Sequence, residues 1–326
     1  MPAATDTHAP QPPLTPTPDH PDASPRRPSW RASLLLAAAD IKLAHSVFAL
    51  PFAVLGLFLA RPATHPPQHT ALQLFLVVLC MITARSWAML FNRIADARFD
   101  AANPRTARRA VASGALPLGR AVALALTCAG AFMLPAGAFW ALDANPWPLA
   151  LSLPVLAWLA AYSLAKRFTW LCHALLGSAL AISPLAAAIA VEPAALASTP
   201  ALWAIAGMVL LWVAGFDILY ALQDTAFDRA AGLRSIPADL GTRAAVWISR
   251  AWHALAAASL AGACVLEPRF GPLFWSASAL AAALLVAEHV VLVRRGLAGL
   301  PVAFFTLNGV FSCLLGAAGV LDLLAV

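Results

Sequence analysis

Stretches of about 20 apolar residues recur down this chain, separated by short polar segments. As a helix, one such stretch is long enough to cross the roughly 30 Å of hydrocarbon in a bilayer. Nine can be delimited, at 34–60, 71–91, 119–142, 147–165, 170–191, 201–223, 244–266, 272–293 and 301–325. Of these, 147–165 is the shortest and contains Pro154. A water-soluble domain is about 25% charged; this chain of 326 residues is 11% charged and 61% hydrophobic. A soluble globule, a disordered chain and a disulfide scaffold are thereby excluded. The expectation is an all-α polytopic membrane protein with nine transmembrane helices around a central cavity.

Basic residues test that segmentation, because cytoplasmic loops collect Lys and Arg. The amino-terminal segment holds Arg26, Arg27 and Arg31, and the second loop holds Arg93, Arg98, Arg105, Arg108, Arg109 and Arg120. The fourth loop has Lys166 and Arg167, the sixth Arg229, Arg234 and Arg243, and the eighth Arg294 and Arg295. The odd-numbered loops contain only Arg61 and Arg269. This alternation puts the amino terminus in the cytoplasm, the carboxyl terminus outside, and the cavity mouth on the cytoplasmic side, as in a bacterial inner membrane. Residues 1–30 are Pro-rich with no apolar run, so they read as a disordered cytoplasmic tail before a domain at 31–326. Cys80, Cys128, Cys172, Cys264 and Cys313 all lie within apolar runs and read as small buried hydrophobes. Trp147, Trp203 and Trp275 fall near external span ends, where interfacial anchors sit.

Two cytoplasmic loops concentrate the oxygen side chains. Asn92, Asp96 and Asp100 are spaced i, i+4, i+8, and Asp217, Asp224 and Asp228 are spaced seven and four, so each set shares one helical face. Like charges at i, i+4 repel unless a cation lies between them. Carboxylates and an amide without His or Cys suit Mg²⁺, which favours a few carboxylates together with phosphate oxygens. Arg105, Arg108, Arg109, Arg229 and Arg234 interleave with these acids and supply forks for phosphate. A diphosphate held through metal ions is the chemistry implied. Lys42 and His45 are i, i+3 in the first span. Lys42 is either a snorkelling lysine or a cation for a bound anion, and His45 either faces the cavity or packs between helices. Arg85 lies seven residues before Asn92, on nearly the same face. Glu288 and His289 read as a polar contact between helices.

Residues 92–114, NRIADARFDAANPRTARRAVASG, resemble the first signature of the UbiA family of intramembrane prenyltransferases. Residues 217–241, DILYALQDTAFDRAAGLRSIPADLG, resemble its second aspartate motif, and Tyr162, Lys166 and Arg167 its Tyr-and-Lys-Arg segment. The resemblance implies that Asp96, Asp100, Asp224 and Asp228 are catalytic and hold Mg²⁺ with Asn92 and Asp217. It implies substrate contacts from Lys42, His45, Arg85, Arg105, Arg109, Tyr162, Lys166, Arg167 and Tyr220, with a polyprenyl diphosphate and an aromatic acid as substrates. No nucleic acid partner is expected. Asn103 stands where 4-hydroxybenzoate members usually carry Val or Met. That variant is similar to a branch named 4-hydroxybenzoate polyprenyltransferase, part of which is associated with futalosine-route menaquinone synthesis. The acceptor this resemblance implies is 4-hydroxybenzoate or 1,4-dihydroxy-6-naphthoate. An ion-coupled transporter is the reading from another class, although transporter acids usually lie at the midplane.

Overall fold

The computed structural model describes residues 28–41 and 47–325, and all of their regular structure is helical. Most of the amino-terminal tail, together with Lys42 and His45, lies outside the described residues. In chain order the helices are α1 (Trp30–Ile41), α2 (Leu50–Ala60), α3 (Pro67–Ala95), α4 (Ala97–Ala102), α5 (Leu118–Asp143), α6 (Trp147–Ala150), α7 (Ser152–Leu164) and α8 (Cys172–Val191). There follow α9 (Ala195–Ser198), α10 (Ala201–Ala221), α11 (Thr225–Ala230), α12 (Ile236–Leu240), α13 (Thr242–Leu266), α14 (Pro272–Arg295) and α15 (Asn308–Ala325). A π-helical turn, Val302–Leu307, leads into α15.

Six segments among the described residues are long and apolar enough to cross a membrane: Pro67–Ala95, Leu118–Asp143, Cys172–Val191, Ala201–Ala230, Pro272–Gly299 and Val302–Ala325. The remaining three expected spans differ for identifiable reasons. The first is split into α1 and α2, and Pro51 in the first turn of α2 needs no N–H partner there. The 147–165 stretch is broken at Leu151 into α6 and α7, with Pro148 and Pro154 each near a helix start. Helix α13 has the length, at 25 residues, but Arg250 and His253 interrupt its apolar run. Large apolar side chains stand exposed around the outside, Leu134 at 75% and Val265 at 73% among them. Water would not tolerate such a surface, and lipid requires it.

Helix α10 is apolar apart from the end that carries Asp217, and its burial on most sides places it at the centre of the bundle. Its Trp212 is fully buried and stacks on Phe311 with ring centroids 4.6 Å apart. Phe48, Phe52 and Phe216 pack around the same indole. Small residues let the backbones approach, as expected where lipid offers no hydrophobic drive between helices. A Cβ on Gly177 of α8 would stand 2.3 Å from the Leu210 carbonyl oxygen of α10, and one on Gly56 of α2 would stand 2.2 Å from that of Pro184. These close crossings fix α2, α8 and α10 together, and with them the ends of α3, α7 and α10 that carry the polar loops.

Candidate active site

The polar loops meet at one end of the bundle around a cavity of about 290 Å³. Neither aspartate cluster lies on one unbroken helix, as the spacing alone suggests. Helix α3 stops at Ala95, Asp96 caps it, and α4 begins at Ala97. The i to i+4 backbone bonds nevertheless persist, from Asp96 to Asn92 at 2.9 Å and from Asp100 to Asp96 at 2.8 Å, so the three side chains stay together. In the second loop α10 ends at Ala221, a 3₁₀ turn runs from Leu222 to Asp224, and α11 starts at Thr225. That turn interrupts the helix between Asp217 and the Asp224–Asp228 pair, yet all three line the cavity.

Each of the four principal carboxylates meets a base. Arg105 donates to Asp224 from Nε at 2.9 Å and from NH2 at 2.5 Å, and its guanidinium lies 5.6 Å from the centre of the Tyr220 ring. Arg109 NH1 lies 2.7 and 2.8 Å from the two Asp100 oxygens. Lys166 reaches Asp228 at 3.3 Å, and Arg167 reaches Asp96 at 3.4 Å. Burial raises the Asp96 carboxyl above the ordinary carboxylate value, and the Asp100 charge raises it further against the pull of Arg167. Burial disfavours the Lys166 charge, but Asp228 outweighs it and holds the ammonium above its ordinary value. Asn92 donates to Asp96 at 3.0 Å. Among the described residues, no three His, Cys, Asp or Glu side chains converge closely enough to form a ready metal cage.

A second cavity, of about 360 Å³ and almost wholly apolar, runs between α3, α5, α7 and α8. Tyr162 lines both cavities. The result is a polar chamber rich in acid–base pairs joined to an apolar one, which suits an amphiphile with an anionic head.

The UbiA prenyltransferase family model matches residues 49–313, most of the chain. The chain belongs to that family. A UbiA homolog from Aeropyrum pernix is 32% identical, with a TM-score of 0.75 over 86% of this chain and 98% of that one. A 4-hydroxybenzoate octaprenyltransferase from Paracidovorax citrulli is 34% identical over 217 residues, covering 66% of this chain and 69% of that one. A protein of the same name from Methylobacillus flagellatus is 30% identical over 182 residues, spanning 55% of this chain and only 57% of its own length. A UbiA homolog from Archaeoglobus fulgidus solved with GPP and Mg²⁺ shares the fold at 18% identity, with a TM-score of 0.65.

Within this UbiA-family chain the structure gathers Asn92, Asp96, Asp100, Arg105, Arg109, Tyr162, Lys166, Arg167, Asp217, Tyr220, Asp224 and Asp228 around the polar cavity. Arg85 is elsewhere, on the wall of the apolar cavity, where its Nε has no hydrogen-bond partner among the described residues. Asp217 is engaged by the buried His173, whose Nδ1 lies 2.7 Å from its carboxylate. His173 carried no spacing signal, since its partner is 44 residues away. Asn103 does more than vary a motif: its amide donates to Asp224 at 3.1 Å and its carbonyl accepts from the Arg105 N–H at 3.0 Å. It thus ties the first loop to the second. Ser235, which donates to Asp228 at 3.1 Å, and Phe304, whose ring centroid is 4.3 Å from that of Tyr220, complete the lining and its support.

Proposed function

We propose that this UbiA-family protein transfers the isoprenyl group of a polyprenyl diphosphate to the ring of a hydroxylated aromatic carboxylate, in ubiquinone or menaquinone biosynthesis. The observation that carries the reading is the meeting of two Asp-x₃-Asp segments and four bases in one cavity, next to an apolar cavity that shares Tyr162. The relatives named 4-hydroxybenzoate octaprenyltransferase support the reaction class.

The donors fit Mg²⁺: they are hard oxygens alone, and Asp96 and Asp100 are close enough to raise the Asp96 carboxyl, a repulsion that a cation relieves. Asp96, Asp100, Asp224 and Asp228, with Asn92 and Asp217, would hold it, and when bound it supplies positive charge against a leaving diphosphate. Arg105, Arg109, Lys166 and Arg167 are placed to take the phosphate oxygens as the allylic C–O bond breaks. The Tyr220 ring offers its face to the allylic cation. The apolar cavity takes the isoprenoid tail and excludes water that would hydrolyse that cation. Arg85, half-buried and without an acid partner among the described residues, takes the acceptor carboxylate. The ring carbon ortho to the hydroxyl forms the new C–C bond and then loses its proton. Lys42 and His45 belong to the same proposal as further contacts for the bound anion. The acceptor is 4-hydroxybenzoate or 1,4-dihydroxy-6-naphthoate.

The proposal includes nine crossings, counting α1 with α2 and α6 with α7 as one each. The cavity opens to the cytoplasm in a bacterial inner membrane, with the amino terminus inside and the carboxyl terminus outside. Residues 1–30 form the tail and 31–326 the catalytic domain. Purified protein incubated with geranyl diphosphate, Mg²⁺ and a panel of hydroxylated aromatic acids should give a prenylated acid by mass spectrometry and lose that activity with chelator. Absence of prenylated product from every acid would refute the enzyme reading and favour an ion-coupled transporter using the same acids.

A further inference from the structure

A third cavity, of about 520 Å³, lies outside the site, where α13 and α14 diverge on the perimeter of the bundle. It is at the same end of the bundle as the carboxylates, because α13 leaves the second aspartate loop and α14 returns antiparallel to it. Its walls are short and aliphatic: Ala254 and Ala257 from α13, and Ala282 and Val286 from α14. Val286 and Val293 are 64% and 71% exposed, so the cleft opens sideways. Arg250 and Arg294 stand at it, and neither pairs with an acid among the described residues. Arg250 is held against the Trp247 ring, 4.8 Å from its centre, which keeps the guanidinium in place without neutralising it.

The floor of the cleft is polar: His253 and His289 face each other there, and His289 Nδ1 has no hydrogen-bond partner among the described residues. A carbonyl can only accept, so His253 Nε2 donates to the Trp212 oxygen at 3.3 Å, and His253 Nδ1 lies 3.1 Å from His289 Nε2. No carboxylate lines the cleft, so the two guanidiniums have no counter-charge among the described residues. Two unpaired cations over an aliphatic slot that opens to the perimeter are complementary to an amphiphile with an anionic head. We propose that this cleft is a binding site for an anionic phospholipid, its phosphate between Arg250 and Arg294 and an acyl chain along Ala254, Ala257, Ala282 and Val286. The site is separate from the prenyl transfer machinery and does not depend on that reading.

The test is native mass spectrometry of the delipidated full chain in detergent, titrated with phosphatidylglycerol and with phosphatidylcholine of identical acyl chains. The first phosphatidylglycerol adduct should form at about tenfold lower concentration than the phosphatidylcholine adduct. It should be lost in Arg250→Gln/Arg294→Gln. Val290→Trp, which fills the cleft from its exposed edge and alters no charge, should lose it as well and covers the event that the double variant misfolds. Equal adducts with both lipids, or an adduct that survives both variants, would overturn the proposal as annular lipid only. Displacement of phosphatidylglycerol by a prenylated hydroxybenzoate at equimolar concentration would overturn it too, making the cleft a product site.

Discussion

Asn103→Val separates two roles for the residue in which this chain departs from the usual first motif. Asn103 is 8% exposed, and its amide spans the two aspartate loops. Valine has similar volume, so the substitution removes polar contacts without leaving a large void. Asp224 loses a charge-assisted hydrogen bond, and the Arg105 N–H loses its acceptor. Bonds to charged groups contribute about 1.5–3 kcal/mol, and an orphaned backbone donor costs about 1–3 kcal/mol. Arg105 still grips Asp224 with two bonds, so the carboxylate stays close but is held from one side only. If about 1.4–2.8 kcal/mol of that loss falls on the transition state, kcat/KM drops by roughly 10- to 100-fold. The assay is steady-state prenyl transfer with 4-hydroxybenzoate and with 1,4-dihydroxy-6-naphthoate as parallel acceptors. A residue that bridges the loops should depress both alike. If total activity is kept while the ratio of the two kcat/KM values moves by more than about tenfold, Asn103 selects the acceptor and the bridging argument is wrong.

Asp100→Asn and Asp228→Asn should each cut turnover by about 10²-fold or more, with a double variant far from multiplicative because one diphosphate is served; undiminished turnover in both singles would contradict the proposed site. Asp96 holds its proton more tightly than an ordinary carboxylate, so Mg²⁺ affinity should begin to fail at a higher pH on acidification than such a carboxylate would allow. In stability terms the sign reverses: this group favours the fold most when protonated, below its unfolded value, and that contribution is lost as pH rises through the folded value. Calorimetric Mg²⁺ titrations across pH on wild type and Asp96→Asn check this, the variant showing the flatter profile. Gly177→Val should destroy the α8–α10 crossing, since a Cβ has only 2.3 Å to the Leu210 oxygen; the readout is loss of the monodisperse peak on size exclusion. Reporter fusions at residue 68 and after residue 326 should report outside, and those at 107 and 232 inside.

The helical class and most crossings were legible because a bilayer demands long uncharged runs, and α3, α5, α8, α10, α14 and α15 supply them. Pro154 was the visible warning in the 147–165 run, but the sequence did not show that the run breaks into α6 and α7 at Leu151. The acids were readable from i, i+4 spacing, Arg105 and Arg109 from their place among them, and Lys166 and Arg167 from the family resemblance. Their pairings were not, because Arg105 and Asp224 are 119 positions apart and Asn103 and Asp224 are 121 apart. Asp217 shows the limit most clearly: periodicity grouped it with Asp224 and Asp228, beside which it lines the cavity, but gave no sign of the His173 contact 44 positions away.

Each of the four carboxylates has its counter-ion built into the chain. Four bare carboxylates in one chamber would repel one another and scavenge any divalent cation that passed. Here Arg105, Arg109, Lys166 and Arg167 satisfy them internally, so the chamber is close to electroneutral and a lone metal ion must displace a tethered cation to enter. A metal–diphosphate pair faces no such competition. Its cation takes the acids, its anion takes the displaced bases, and the exchange conserves the number of opposite-charge contacts. Under the proposed function, selectivity for the combined ligand over either ion alone is thus a property of the resting salt bridges, gained before any group recognises an isoprenoid.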